Sequence, residues 1–167
     1  MSISSYDDLL KEAATQAQPQ RLLFAFAQAG LPNDAGKAEQ QRFSENRGGT
    51  LTPLMCVDKL PAELSTFAAL VEESQHTGTH WDVVFVSSMS GQNGQVPASD
   101  AAEAPLKKMV EAITTGQLGA FLAFNRAGDI DAVNEKMARR GVPFFCLSAL
   151  QASSKACRHS CVHSTTR

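Results

Sequence analysis

Six residues stand where α/β proteins do their chemistry: Asp58, Lys59, Ser88, Gly91, Gly94 and Arg126. Each closes or follows an apolar run that reads as a strand, and in open sheets ligands bind outside the carboxyl ends of the strands. Together they would bring an acid, an amine, a hydroxyl, two close backbone approaches and a guanidinium to one crevice, a set suited to a nucleotide or another small anion. Ser90-Gly91-Gln92-Asn93-Gly94 lies between a strand and a helix, where glycine amides and a helix N-terminus favour an anion. The loop lacks G-x-G-x-x-G and the Lys-Ser/Thr pair of a P-loop, so a structural turn is the plainer reading. His76 and His80 flank the turn that enters the next strand, at the opposite rim. They read as surface residues at a helix end, where a protonated imidazole suits the dipole. A Ser-His-Asp set built on Ser88 would need a histidine from that far rim.

The cysteines offer two further chemistries. Cys56 is three residues before Lys59, and a nearby amine can activate a thiol. Strand alternation sends the two to opposite faces, so Cys56 among Leu54, Met55 and Val57 reads as a small buried hydrophobe. Cys157, His159, Cys161 and His163 are weak metal candidates. Zinc wants four such ligands in a tetrahedron, but on a helix only the i, i+4 pairs share a face, and the usual spacer between ligand pairs is missing. There is no C-x-x-C pair, and no cofactor follows from these motifs.

The elements that position these residues are read from periodicity. Ser5–Ala17 predicts a helix buried through Tyr6, Leu9, Leu10 and Ala13, capped by Ser5 and ended by Pro19. Arg21–Ala27, Thr52–Val57, Trp81–Ser87 and Gly119–Phe124 predict strands. Lys37–Glu45 predicts a helical turn or two, Pro61–Thr77 a helix opened by proline, and Ser99–Thr115 a helix whose start Pro105 would push towards Ala104. Ile130–Arg140 and Val142–Leu147 read as a weaker helix and strand. Strands spaced by helices predict crossover connections: an α/β fold, with one domain over residues 1–148 and a four- to five-stranded, mainly parallel sheet with helices packed on it. The continuous run Val83–Val86 supports strands covered on both faces. Residues 149–167 read as a poorly ordered basic tail rich in Cys, His and Ser.

The chain has 167 residues, 43% of them hydrophobic and 19% charged, enough to bury a core without a metal or disulfide staple. Residues 1–130 carry nine basic and fifteen acidic side chains, whereas residues 131–167 carry six and two. An acidic body disfavours general nucleic-acid binding, which needs clustered Lys and Arg. No stretch approaches a membrane span, and the acidic start MSISSYDDLL is unlike a signal peptide, so a cytoplasmic protein with reduced thiols is expected.

SYDDLL, QRLLFAFA, LTPLMCVDK with ELSTFAALVEES, and WDVVFVSSMSG with KKMVEAITTGQLGAFLAFNRAG carry a resemblance over residues 4–128. The chain resembles a family of small stand-alone bacterial proteins that bear the label "ribonucleotide reductase subunit alpha". A reductase large subunit uses a radical cysteine and a redox pair in a ten-stranded barrel several times this length. Residues 1–130 hold Cys56 alone, so the resemblance implies kinship but no reductase chemistry and no catalytic residue. The missing motifs favour a non-catalytic binding or regulatory protein with a protein or small-molecule partner. The alternative is a small enzyme or nucleotide-binding protein using the strand-end crevice. Homodimerisation through an uncovered sheet edge stays open.

Overall fold

The computed structural model describes residues 3–31, 33–44 and 50–130. The readings for Ile130–Arg140 beyond its first residue, Val142–Leu147, the boundary at 148 and the four metal candidates lie outside the described residues.

Helix α1 spans Tyr6–Thr15, ending two residues earlier than expected. Ser5 caps it, its hydroxyl accepting from the Asp8 amide at 3.2 Å, and Asp7 and Asp8 meet the positive end of the helix. Hydrogen bonds from the Ser4 hydroxyl and amide, then from Ser5, hold the Asp8 carboxyl below its usual range. Tyr6, Leu9 and Ala13 are its buried stripe. Strand β1 (Gln20–Gly30) follows, then the polar helix α2 (Lys37–Ser44) and strand β2 (Thr50–Lys59).

The helix expected over 61–77 is divided. Pro61–Glu63 makes a single 3-10 turn, and α3 spans Phe67–Gln75. Thr66 is the reason: it adopts an extended conformation and its hydroxyl accepts from the Ala69 amide at 3.2 Å, restarting the helix. Strand β3 (Val83–Ser90), helix α4 (Ser99–Thr114) and strand β4 (Leu122–Asn125) complete the order. α4 begins at Ser99 and runs through Pro105 rather than starting after it. Ala102 before the proline and Leu106, Met109 and Ile113 after it are buried on one stripe, and that packing holds both halves in line.

The sheet has the order β2-β1-β3-β4, and every neighbouring pair is antiparallel. This corrects the expected mainly parallel sheet. A helix between two strands forces a parallel pairing only if the second strand returns beside the first in the same direction. Here α3 carries the chain from β2 across β1 to β3, and β1 fills the gap running the other way. The α4 connection sets β4 against β3 in the opposite sense. The uninterrupted apolar runs have a different cause: helices cover both faces. On one face Leu22, Phe24 and Phe26 pack with Tyr6 and Leu9 of α1 and Leu70 of α3. On the other, Leu23, Ala25 and Ala27 pack with Ala102, Leu106 and Met109 of α4. β1 is therefore buried on both sides, as is β3 over Val83–Val86.

Candidate functional site

An all-antiparallel sheet divides strand ends between two rims. The start of β1 and the ends of β2 and β3 share one rim; the end of β1, the start of β3 and the end of β4 share the other. Asp58, Lys59, Ser88, Gly91 and Gly94 belong to the first rim, and Arg126, just past β4, belongs to the second. The sixfold convergence expected from a parallel sheet therefore does not form.

Within the first rim the pleat divides the group again. Leu23 registers with Asp58 on the α4 face, whereas Leu22 registers with both Lys59 and Ser88 on the α1/α3 face. Asp58 sits at the start of α4. Arg21 Nη1 donates to its Oδ2 at 2.5 Å and the Ser99 hydroxyl donates to the same oxygen at 2.8 Å, while Arg21 Nε donates to the Pro97 carbonyl at 2.7 Å. The Arg21 and Asp58 side chains are only 11% and 19% exposed, so this is a partly desolvated tie between β1, β2 and α4. A carboxylate at a helix N-terminus suits the dipole.

Lys59 Nζ reaches Glu73 of α3, donating to both carboxylate oxygens at 2.7 and 2.8 Å. Ser88 is buried between strands, and its hydroxyl has no hydrogen-bond partner among the described residues. Tyr6 has a buried hydroxyl in the same condition, and burial, with a smaller contribution from Asp7, pushes its pKa up to about 12.

The glycine loop is a tight turn. Asn93 and Gly94 have φ of 54° and 74°, and the Gln95 amide donates to the Gln92 carbonyl at 2.9 Å, the two-residue form that Asn-Gly favours. The Gly91 amide donates to the Pro19 carbonyl at 2.8 Å and the Gly94 amide to Gln18 Oε1 at 2.9 Å. The amides that would cradle a phosphate thus hold the turn to the entry of β1. Gln20 and Ser90 bond side chain to side chain in the next row.

At the second rim Arg126 lies over the ring of buried Trp81, 5.2 Å from its centroid. Its Nη1 is 3.0 Å from His80 Nδ1 and 3.4 Å from the Trp81 carbonyl. Because a guanidinium only donates, His80 Nδ1 accepts, which places the ring proton on Nε2, 3.4 Å from Asp82 Oδ1. Asp82 Oδ2 in turn accepts from the Ala29 amide at 2.9 Å. His76 is the C-cap of α3. Cys56 is half-buried, not fully buried as expected, because β2 lies at the side of the sheet; it packs against the α4-side core while Lys59 is on the other face, as alternation requires. Among the described residues no group of His, Cys, Asp and Glu is arranged to hold a metal ion, and no helix is long and apolar enough to cross a membrane.

Sequence reasoning passed over Arg21, Gln18, Glu73 and Ser99. Arg21 carried a signal: a charge opening a strand as apolar as RLLFAFA needs a buried acid beside it. The chain matches no family model, no curated protein and no solved structure.

Proposed function

We propose that this chain is a small cytoplasmic binding or regulatory protein that acts without catalysis of its own, through the open edge of its sheet. One observation carries the reading: among the described residues β2, ten residues long, pairs with β1 alone, and it is half-buried along most of its length. A strand in that position offers main-chain donors and acceptors to an added strand. On this reading the chain is kin to the small stand-alone bacterial proteins it resembles, and its role among them is binding.

The rim residues support the same reading by what they hold. Asp58, Lys59 and the Gly91 and Gly94 amides are each bonded within the fold. The second reading, a nucleotide-binding protein or small enzyme, draws on the five candidates that do share one rim. Titration of the protein with a panel of nucleoside mono-, di- and triphosphates, followed by amide chemical shifts, separates the two. The expected outcome is no saturable change at Asp58, Lys59 or Gly91–Gly94. Saturable binding there, abolished by Lys59→Ala in a folded variant, would replace the binding-protein reading with the nucleotide one.

A further inference from the structure

We propose that Asn93 is a site of spontaneous covalent modification, deamidation through its own backbone, and that Gln18 sets how fast it proceeds. The inference is independent of the binding role and rests on the turn after β3.

The chemistry starts from two residue types. The main-chain nitrogen of Gly94 attacks Cγ of the Asn93 side chain and closes a succinimide ring. The nitrogen gives its proton to a solvent base, the Cγ–Nδ2 bond breaks, and Nδ2 takes a proton from water and leaves as ammonia. Water then opens the ring at either carbonyl, leaving aspartate or isoaspartate. A side chain on the residue after the asparagine crowds the ring, and glycine has none. Asn33, Asn46, Asn125 and Asn134 precede Asp, Arg, Arg and Glu, whereas Asn93 precedes Gly94. Asn93 is exposed, and nothing lies within 4 Å of where a Cβ on Gly94 would stand, so water and base reach the reacting atoms.

The fold opposes the reaction at one point. The Gly94 amide donates to Gln18 Oε1 at 2.9 Å, so the proton that must leave is held by a side chain from the entry of β1. The bond from the Gln95 amide to the Gln92 carbonyl keeps the turn closed around it. Attack therefore needs a local opening that frees the Gly94 amide. Gln18 is itself exposed and holds that amide by a single hydrogen bond, so the opening leaves the sheet intact. The isoaspartyl product also lengthens the main chain by a methylene inside the turn. The turn has no slack for it: a Cβ on Gly91 would already lie 1.8 Å from the Gln95 carbonyl oxygen. Modification thus loosens the junction between the end of β3 and the entry of β1.

The full chain, aged in warm buffer across a neutral to mildly alkaline series, tests this by peptide mapping with isoaspartate detection. Conversion is expected first at Asn93, faster as pH rises because the Gly94 proton must leave. Gln18→Ala should raise the rate about fivefold, the worth of one net hydrogen bond. Gln18→Glu keeps an acceptor and should stay near the original rate. The isoaspartyl fraction, separated by ion exchange, should melt below the unmodified chain. An unmodified Asn93 in the folded chain, with conversion only in urea, would overturn the proposal. So would conversion led by another asparagine. Equal rates in the original chain and Gln18→Ala would overturn the role of Gln18, and an isoaspartyl fraction that melts unchanged would overturn the loosening of the junction.

Discussion

Two hydroxyls in the α1/α3-side core, Tyr6 and Ser88, are buried with no hydrogen-bond partner among the described residues, whereas the pairs Arg21–Asp58 and Lys59–Glu73 are bonded. An unpartnered buried hydroxyl loses its hydration and gains nothing in exchange. Tyr6→Phe keeps the ring contacts with Phe67 and Phe124 and removes that loss, so stability in urea should stay level or rise by about 1 kcal/mol. A drop of that size would mean the hydroxyl is bonded. The same group has a pH signature. Its folded pKa is raised, so the stability it confers is whole below the unfolded value of 10 and falls as pH rises towards about 12. Stability measured across that window should fall less steeply in Tyr6→Phe.

The two acid–base pairs differ in what they are worth. Asp58→Asn would leave the 11%-exposed Arg21 without its counter-charge and should cost about 3 kcal/mol. Lys59→Met breaks a pair whose Glu73 side is 60% exposed and should cost less than about 1 kcal/mol, because solvent screens it and the aliphatic stem is kept. Paired urea titrations decide this; equal losses would show that burial does not separate the pairs.

At the scale of elements, the turn after β3 is the most constrained. A Cβ on Gly91 would lie 1.8 Å from the Gln95 carbonyl oxygen, a backbone atom that cannot move without opening the turn. Gly94 has open space around it, and only its φ of +74° resists a side chain. Gly91→Ala should therefore lower the melting temperature well beyond Gly94→Ala, whose cost is about 1 kcal/mol. Gly94→Asn should be nearly silent, since asparagine tolerates that conformation. Element types were legible where periodicity was long: of the stripe Tyr6, Leu9, Leu10 and Ala13 read for α1, all but the half-buried Leu10 are buried, and the Val83–Val86 run of β3 is buried throughout. Element ends were legible only where local chemistry was unambiguous. Ser5 announced its cap, but Thr66 interrupting 61–77 did not, because a threonine caps or continues a helix according to its backbone conformation.

Across the whole molecule, β1 is the axis: both its edges are paired and both its faces are covered. Native-state amide exchange should be slowest in β1 and the adjoining Val83–Val86 of β3, and fastest in α2, whose residues are mostly exposed. Exchange in α2 as slow as in β1 would show that the polar helix is docked on something. The candidate site was legible as a list of residues and illegible as a place. Asp58 and Lys59 are adjacent in sequence and face opposite layers; Ser88 and Arg126 end neighbouring strands and lie at opposite rims.

The amino-acid sequence alone determined the type of the long periodic segments and most of the apolar side chains they bury, since periodicity and apolar content are local properties of the chain. The tertiary structure decided the strand directions, and with them which strand ends meet. A helix linking two strands has room to return the chain in either sense. The insertion of β1 between β2 and β3, which buries its two apolar faces at once, set the antiparallel order on that side of the sheet, and the return of the chain through α4 set it between β3 and β4.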